Sequence, residues 1–576
     1  MFLFRSKIPR EEHPNPDCFR EHYVNLNGSW EFEFDHGNSG IDRKLYEPDA
    51  KFHEKIDVPF CPESKLSGIE RKDFLSAVWY RRTVEVSAEQ LRGRAFLVFG
   101  AVDFHAVVFV NGVRAGEHFG GYTSFRIDAT EFLREGRNTL TVYAEDDTRS
   151  PLQARGKQSE LFASHGCDYT RTTGIWQTVY MEFVPSKEYI KRFSFYPSVS
   201  DSSLTVQASV EGKGTFSVSA FWAGKEVGSA RVEAVGETVS LRIPLSETHL
   251  WEVGKGGLYE VKLRFSEDEI GSFFGLREVS LSGGVFRVNG KPVFQRLVLD
   301  QGFYPDGIYT APTAEALKND ILLSMKAGFN GARLHQKIFE PLFLHYADEL
   351  GYLVWGEHGN WGLDHSDYAS LRYFLPEIED EIARDFNHPA LIGWCPFNET
   401  WDQNGRRQDN DVLRTVYRTV KSLDPTRPCI DTSGNYHVET DVYDVHDYDQ
   451  NPVSFREHYD KLMTDGTLYE RFPDRQKHGN EPVFMSEYGG IRWTGRRETS
   501  GWGYGQGPKT EEEFFARYRG LTEALLQNGK MIGFCYTQLT DVEQEQNGVY
   551  FYDRSEKYDV SKLYEINSQK AKIEEE

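Results

Sequence analysis

The pattern of hydrophobic and polar residues divides the chain into a β-rich first half and a second half in which strands and helices alternate. In the first half, apolar and polar residues alternate over short segments such as Trp79–Val86. A period of two is typical of a half-buried strand, and many short strands separated by turns indicate a sandwich. Asn111-Gly112 is a hairpin signal of this kind. We therefore predict one sandwich over 1–185 and an immunoglobulin-like sandwich over 186–275.

After residue 275, short apolar runs alternate with amphipathic stretches of helical period. The runs that read as buried strands are 293–299, 329–333, 352–357, 390–397, 429–432, 441–446, 482–486 and 531–537. The amphipathic stretches are 314–327, 340–350, 368–386, 409–423 and 511–528. Eight strands with intervening helices over about 300 residues predict a (β/α)8 barrel spanning 276–576.

Two glutamates follow predicted barrel strands, where the chemistry of such barrels takes place. Glu399 ends the run 391–399, and Glu487 ends the run 482–487. A single Glu is usually a solvated surface charge. Two carboxylates at one barrel rim are what glycoside hydrolysis needs, because one protonates the leaving oxygen and the other attacks the sugar or activates water. The spacing alone does not decide which glutamate has which role.

Composition excludes several classes of partner. The net charge of −23 argues against nucleic acid and anionic membranes, which both require basic patches. The six cysteines have no metal-type spacing, and the histidines lack a His-Glu-x-x-His pattern, so we predict neither a metal nor a cofactor. The start of the chain, 1–7, has too short an apolar stretch for a leader, and we predict a soluble cytoplasmic protein.

Further polar groups stand at predicted strand ends and are candidates for binding substrate. Asp300, His335, Glu357 and His446 all occupy such positions. Asn398 precedes Glu399 and is placed to donate a hydrogen bond to a sugar hydroxyl. The glycine-spaced segment 501–507 contains Trp and Tyr, which suits either an aromatic loop at the rim of the site or an ordinary loop.

Over nearly its whole length, the chain resembles family 2 glycoside hydrolases, the group of β-galactosidases, β-glucuronidases and β-mannosidases. The motifs that carry the resemblance are Phe109-Val110-Asn111-Gly112, Gly120-Gly121-Tyr122-Thr123-Ser124-Phe125, Thr173-Gly174-Ile175-Trp176, Phe329-Asn330-Gly331-Ala332-Arg333, Pro396-Phe397-Asn398-Glu399 and Phe484-Met485-Ser486-Glu487-Tyr488-Gly489. The resemblance implies a sugar-binding-like jelly roll, an immunoglobulin-like sandwich and a catalytic barrel.

The resemblance also implies roles for individual residues. Glu399 is expected to be the general acid/base and Glu487 the nucleophile of a retaining mechanism. The residues expected to bind substrate are Asp300, Arg333, His335, Glu357, Trp361, Asn398, His446, Tyr448 and Tyr536. The family's β-glucuronidases hold the sugar carboxylate with an Asn-x-Lys motif. Here the corresponding stretch, 545–548, contains a glutamate and no lysine, which disfavours a uronate substrate.

We therefore expect an exo-acting retaining glycosidase that releases a neutral sugar from an oligosaccharide or glycoside. β-Galactosidase activity is the first expectation. β-Galactofuranosidase or α-L-arabinofuranosidase activity is the alternative, because 299–301 and 333–335 differ from the galactopyranose type. An inert carbohydrate-binding protein is the alternative from another class, and the presence of both glutamates argues against it. Homo-oligomers are common among such chains.

Overall fold

A computed structural model of the chain describes residues 8–403, 405–495, 497 and 500–575. The stretch 1–7, on which the prediction about a leader depends, lies outside these residues. The described part contains two β-sandwiches followed by a barrel of parallel strands, so the predicted fold class is confirmed. No helix of this described part is both long and apolar enough to cross a membrane.

The first sandwich packs a four-stranded sheet, in the order β1-β12-β5-β9, against a six-stranded sheet, in the order β3-β2-β4-β10-β7-β8. Its strands are β1 (Tyr23–Asn25), β2 (Gly28–Phe34), β3 (Glu54–Val58), β4 (Ala77–Val86), β5 (Arg94–Phe99), β6 (Val102–Asp103), β7 (His105–Val110), β8 (Val113–Phe119), β9 (Phe125–Asp128), β10 (Gly136–Glu145), β11 (Gly174–Ile175) and β12 (Val179–Val184). Apolar residues of alternate positions, including Trp30, Phe32 and Leu97, form the core between the sheets.

The second sandwich is smaller and consists of two antiparallel sheets, in the orders β13-β14-β17 and β16-β15-β18-β19. Its strands are β13 (Tyr189–Ser198), β14 (Ser203–Glu211), β15 (Gly214–Trp222), β16 (Lys225–Ala234), β17 (Thr238–Pro244), β18 (Tyr259–Phe265) and β19 (Asp268–Phe274). Arg20 joins the two sandwiches, because its guanidinium bonds Asp268 at 2.9 and 3.1 Å and Glu182 at 3.2 Å.

A short sheet of β20 (Val279–Ser282), β21 (Val285–Val288) and β22 (Lys291–Pro292) leads into the barrel, whose parallel strands have the order β26-β25-β24-β23-β29-β28-β27. The barrel strands are β23 (Gln295–Asp300), β24 (Gly331–Leu334), β25 (Leu353–Glu357), β26 (Leu391–Cys395), β27 (Tyr443–Asp447), β28 (Val483–Gly489) and β29 (Met531–Thr537). The helices are α1 (Ala314–Lys326), α2 (Pro341–Leu350), α3 (Leu371–Asp385), α4 (Asn410–Leu423), α5 (Pro452–Thr464), α6 (Glu511–Leu526) and α7 (Ser561–Asn567).

The segment predicted as the fifth barrel strand, 429–432, is irregular. Next to β26 it forms an isolated bridge between Cys429 and Trp394 in place of a continuous ladder, and a second bridge joins Ser433 to Asn398 just beyond both segments. Asp431 explains the irregularity, because its carboxylate accepts the backbone N–H groups of Thr432, Val438 and Glu439 and so folds the segment into a loop. The predicted strand is therefore wrong as a regular element, although it occupies the expected place between β26 and β27.

A loop of the first sandwich reaches the mouth of the barrel and attaches there. The N–H groups of Arg155 and Gly156 donate to the carbonyl of Trp361 at 2.8 and 3.2 Å. Trp176 of the same sandwich is fully buried and packs 5.1 Å from the ring of Tyr309, which belongs to the barrel. The barrel mouth is consequently bordered in part by residues from outside the barrel.

Candidate active site

Glu399 and Glu487 lie at the carboxyl ends of barrel strands and point into the same mouth. Glu399 follows β26, and its N–H donates to the carbonyl of Ser433 at 2.9 Å. Glu487 lies within β28 and is in register with His446 of β27. The side chain of Glu487 is 6% exposed, whereas that of Glu399 is 19% exposed. The more accessible carboxylate is therefore Glu399.

His446 joins the two carboxylates. Its Nδ1 lies 2.7 Å from Glu399 Oε1 and 3.4 Å from Glu487 Oε2. The nearest oxygens of the two glutamates and the His446 nitrogen lie within 4.8 Å of one another. His446 Nε2 lies 3.0 Å from Ser433 Oγ, which fixes the other side of the ring. Two carboxylates of separate strands are thus held together by one imidazole.

The charges of these three groups depend on one another. Burial lowers the pKa of His446, but Glu487 and Glu399 outweigh burial and raise it above its usual value. Burial raises the pKa of Glu399, but the hydrogen bond from His446 outweighs it and lowers the pKa to about 2. The pKa of Glu487 is also lowered, because His446 and Arg333 oppose the effect of burial. In the free site these shifts favour a proton on His446 and the ionised form of both glutamates.

Arg333, at the end of β24, connects the cluster to the barrel interior. Its Nε donates to Glu357 at 2.6 Å, its Nη1 to the carbonyl of Ser486 at 2.8 Å, and its Nη2 to Asn398 Oδ1 at 2.5 Å. The Nη2 atom also lies 3.1 Å from Glu487 Oε1. Because Arg333 is fully buried, it acts through these partners and fixes the orientation of Glu487 and Asn398.

Glu357 and His335 support Arg333. Glu357 Oε1 lies 2.8 Å from His335 Nδ1, and the same oxygen accepts the N–H of Gln336. Burial raises the pKa of Glu357, but Arg333 and His335 outweigh burial and lower it. The pKa of His335 is lowered by its burial. Both residues were predicted to bind substrate. In the structure Glu357 bonds Arg333, and His335 bonds Glu357.

Tyr448 contacts Glu487, and Trp361 contacts the backbone next to Glu399. The hydroxyl of Tyr448 donates to Glu487 Oε2 at 2.5 Å and lies 3.0 Å from Thr537 Oγ1. The Tyr448 ring stacks on Tyr504. Trp361 Nε1 donates to the carbonyl of Asn398 at 3.1 Å, so this indole contacts the backbone next to Glu399.

Two predicted substrate-binding residues have side chains whose partners lie outside this cluster, although the carbonyl of Asp300 accepts the N–H of His335 at 2.8 Å. Asp300 accepts the N–H of Gly302 at 2.9 Å, and its burial, together with Asp320, raises its pKa to about 7. Tyr536 is 1% exposed and packs against the rings of Tyr488 and Tyr518. The structure thus places Tyr536 in the packing behind β28.

Several neighbours of the cluster were not predicted from the sequence. Trp401 Nε1 donates to Glu399 Oε2 at 3.2 Å, Ser433 contacts His446, and Lys157 comes from the first sandwich. Tyr504 lies in the glycine-spaced segment 501–507 and contacts Tyr448, so the interpretation of that segment as an aromatic rim agrees with its position. The sequence signal that could have identified Trp401 as a neighbour of the site was its position two residues after Glu399.

The backbone around Glu399 and His446 adopts conformations that few residues tolerate. Glu399 has φ = 47°, in the left-handed region that is unfavourable for a residue with a Cβ. Gly434 has φ = +87°, and a Cβ at that position would lie 2.3 Å from His446 Nδ1. The chain thus needs a glycine at 434 to let His446 approach Glu399.

Two groups of described residues bring three potential metal ligands within 4.8 Å of one another. One is Glu399, His446 and Glu487, and the other is Glu160, His165 and Asp168 at the edge of the first sandwich. In the first group, hydrogen bonds with His446 and Tyr448 engage one carboxylate oxygen of Glu399 and one of Glu487. The predicted absence of a metal stays a prediction.

Comparisons with known proteins agree with this arrangement. Two protein-family sequence models match the chain. The one described as glycosyl hydrolases family 2, sugar binding domain, matches residues 23–185, and the one described as glycosyl hydrolases family 2, TIM barrel domain, matches residues 279–500. A β-galactosidase of Thermoanaerobacterium thermosulfurigenes is 26% identical over 451 residues, which are 74% of this chain and 60% of that protein. The chain therefore spans less than two thirds of that relative.

Other relatives are aligned over more of their length. The β-glucuronidase of Homo sapiens is 25% identical over 543 residues, which are 83% of this chain and 79% of that protein. The crystal structure of Ruminococcus gnavus β-glucuronidase superposes with a TM-score of 0.80 at 18% identity, covering 98% of this chain and 99% of that one. At this identity the superposition shows a shared fold.

Proposed function

The chain belongs to glycosyl hydrolase family 2, and from that membership and the geometry of its site we propose that it is an exo-acting glycosidase with a retaining mechanism. The observation that carries the proposal is the short distance between Glu399 and Glu487, whose nearest oxygens lie within 4.8 Å. Retaining enzymes have carboxyl groups about 5 Å apart, whereas inverting enzymes separate them by about 6.5–9.5 Å to admit a water molecule. The spacing here favours direct attack by one carboxylate.

We assign the role of nucleophile to Glu487. Arg333 and the Tyr448 hydroxyl contact its carboxylate, and both contacts stabilise the ionised form that attacks the anomeric carbon. The carbon–oxygen bond to the aglycone breaks as the bond to a Glu487 oxygen forms. A glycosyl ester of Glu487 results, and it retains the sugar until water attacks the same carbon.

Glu399 is the group that we assign to proton transfer. It is the more exposed of the two carboxylates and lies at the rim, where the aglycone oxygen leaves. In the free site its proton is held by His446, 2.7 Å away. As Glu487 loses its charge in the attack, the main support for the raised pKa of His446 disappears. The proton can then pass through Glu399 to the leaving oxygen, and Glu399 removes a proton from water in the second step.

For the sugar we propose a neutral glycone, with β-galactosidase activity first and β-galactofuranosidase or α-L-arabinofuranosidase activity as the alternative. The name of the T. thermosulfurigenes relative supports the first. Other relatives bear the name β-glucuronidase, which makes a uronate the competing substrate. Against a uronate stands Glu545, a carboxyl group whose pKa burial raises, because a uronate would bring another acidic group next to it and to Glu487.

Azide rescue tests both assignments at once. We expect Glu487→Gly to lose nearly all turnover and, with azide, to form a glycosyl azide of inverted configuration, because azide enters the space left by the nucleophile. We expect Glu399→Ala with azide to form the retained azide on a substrate with a good leaving group. Products are identified by proton NMR, and Glu381→Gln on α3, outside the site, serves as the control.

The aryl glycoside panel for these assays contains β-galactopyranoside, β-galactofuranoside, α-L-arabinofuranoside, β-glucoside, β-mannoside and β-glucuronide. An inverted first product from the wild-type protein would overturn the retaining mechanism. Exchange of the two azide products between the variants would reverse the assigned roles.

A further inference from the structure

Lys157 belongs to the first sandwich but lies at the mouth of the barrel. Its carbonyl accepts the N–H of Tyr169 at 2.7 Å, and the preceding residues Arg155 and Gly156 are bonded to the backbone of Trp361. These contacts fix the Lys157 backbone over the site. The Lys157 Nζ atom lies 4.1 Å from the centroid of the Trp361 ring, and Trp361 in turn contacts the backbone of Asn398.

The Lys157 ammonium lacks a protein partner. The residue is 5% exposed, yet among the described residues no side chain or carbonyl forms a hydrogen bond with its Nζ, and no carboxylate oxygen lies within 4.0 Å of it. The side chain is largely buried, but Nζ itself keeps accessible surface, so its three donors are open to a ligand at the mouth of the barrel. This arrangement points to a ligand that supplies the missing acceptors.

Two other buried lysines show the usual arrangement. Lys337 Nζ donates to the carbonyls of Gly302 and Tyr309 at 2.5 and 2.7 Å, and Lys557 Nζ donates to Asp541 at 2.6 Å. Both are satisfied within the fold. Lys157 differs from them because its ammonium has no protein acceptor among the described residues and lies close enough to Glu399 and Glu487 to interact with both electrostatically.

The charges around Lys157 select the chemistry of its ligand. Glu545, Asp168 and Glu487 all interact electrostatically with its ammonium. Glu545 is held by the hydroxyl of Tyr169 at 2.5 Å and by the Asn547 amide at 3.1 Å, so its carboxylate is fixed in place. Asp168 is paired with Arg155 and Glu487 with Arg333, so Glu545 is the acidic group beside Lys157 that an anionic ligand would have to approach. A hydroxyl can accept from the ammonium without adding negative charge.

We propose that Lys157 binds the glycone, donating a hydrogen bond to one hydroxyl oxygen of a neutral sugar that lies before Glu487. This inference rests on the proposed glycosidase function and adds a specificity-determining residue supplied by the first sandwich. The stretch 545–548, which corresponds to the Asn-x-Lys motif of β-glucuronidases, contains no lysine. In this proposal Lys157 does not take over the binding of a sugar carboxylate but donates to a sugar hydroxyl.

Lys157→Met tests the proposal, because methionine retains an unbranched apolar side chain and removes the donors. On the glycoside that the wild type prefers, we expect kcat/KM to fall by roughly 10- to 100-fold, the range for losing a hydrogen bond to a charged group. The fall should shrink to about 3-fold or less on the one monodeoxy glycoside that lacks the hydroxyl in question. Lys157→Arg should recover part of the loss.

Lys557→Met is the matched control. It also removes a buried ammonium, so it lowers thermal stability, but Lys557 is paired with Asp541 and lies outside the site. We expect its relative rates on the glycoside and on the deoxy series to equal those of the wild type. Comparison of the two variants therefore separates binding of the glycone from a general loss of stability.

Several outcomes would overturn the proposal. Unchanged kcat/KM in Lys157→Met, or an equal loss on every deoxy analogue, would show that Lys157 does not contact a hydroxyl. A wild-type preference for the β-glucuronide that Lys157→Met abolishes would show that the ligand is a carboxylate. The first two leave the glycosidase function intact, because Glu487→Gly remains inactive in the same assays.

If the wild type hydrolyses none of the glycosides, a binding assay still tests the role of Lys157 independently of the proposed glycosidase function. Quenching of tryptophan fluorescence by D-galactono-1,4-lactone, with D-glucaro-1,4-lactone as the anionic counterpart, then reports binding directly. Weaker binding of the neutral lactone by Lys157→Met would support the role of Lys157 even though the glycosidase function had failed. Equal binding by both proteins, or binding by neither, would overturn it.

Discussion

Replacing Gly434 by alanine should disconnect His446 from Glu399 without removing either functional group. The new Cβ would lie 2.3 Å from His446 Nδ1, whereas ordinary contacts begin at 3.4 Å. The imidazole must therefore move by roughly 1 Å, as the difference between these two distances requires. That movement stretches the 2.7 Å contact with Glu399 beyond hydrogen-bond distance.

The size of the effect follows from the bond that is lost. A hydrogen bond to a charged group contributes about 1.5–3 kcal/mol, so kcat/KM should fall by roughly 10- to 150-fold. Because the lost contact delivers the proton, the fall should be large for alkyl glycosides and small for nitrophenyl glycosides, whose leaving groups need little protonation. The assay is steady-state hydrolysis of a leaving-group series by the wild type and Gly434→Ala.

Gly466→Ala is the matched control for the backbone. Gly466 has φ = +78°, similar to the +87° of Gly434, and its Cβ would meet nothing within 4 Å. Both variants pay about 1–2 kcal/mol for a left-handed residue with a Cβ. A well-folded Gly434→Ala with wild-type kcat/KM on the alkyl glycosides would refute the role given to His446.

Three further changes have defined outcomes. Tyr448→Phe removes the hydroxyl that donates to Glu487, and kcat on nitrophenyl glycosides should fall by roughly 10- to 100-fold while the melting temperature is nearly unchanged. Arg20→Met leaves buried carboxylates of both sandwiches unpaired, so calorimetry should show a clearly lower melting temperature, from a loss of about 3–5 kcal/mol. Burial lowers the pKa of His388, but Asp348 outweighs it and raises the pKa to about 9. This stabilisation is complete below pH 6.5 and is lost as the pH rises through 9, so the difference in melting temperature between wild type and His388→Asn should disappear over that interval. A constant difference at all pH values would contradict the last expectation.

The sequence predicted the barrel strands well because each is a short apolar run that is buried on both faces. It failed for 429–432, where Asp431 takes the backbone donors that a strand would use, and periodicity does not register such side-chain bonds. Helix α5 was missed although Asn451 caps it and Pro452 is its first residue. Asn-Pro is also typical of turns, so this pair was not recognised as a favourable helix start, in which Pro occupies the first helical position.

For the site, the positions of Glu399 and Glu487 at strand ends could be read directly from the pattern. The bridging place of His446 could not, because it depends on the close approach that Gly434 allows. Lys157 was beyond prediction, since it comes from another unit of the fold and no spacing along the chain connects it to the barrel. Long-range placement of this kind is determined by packing between units.

The attachment of the Lys157 loop to Trp361 has a consequence for how substrate preference can change. The carboxylates to which we assign the reaction belong to the barrel, whereas the loop that we propose contacts the sugar belongs to the first sandwich. Substitutions or insertions in that loop can alter the sugar accepted and leave the proton transfer machinery untouched. The same division means that a barrel produced alone would lack this loop and would expose Tyr309, which Trp176 now covers. The two units form one enzyme, in which chemistry and selectivity are free to evolve at separate rates.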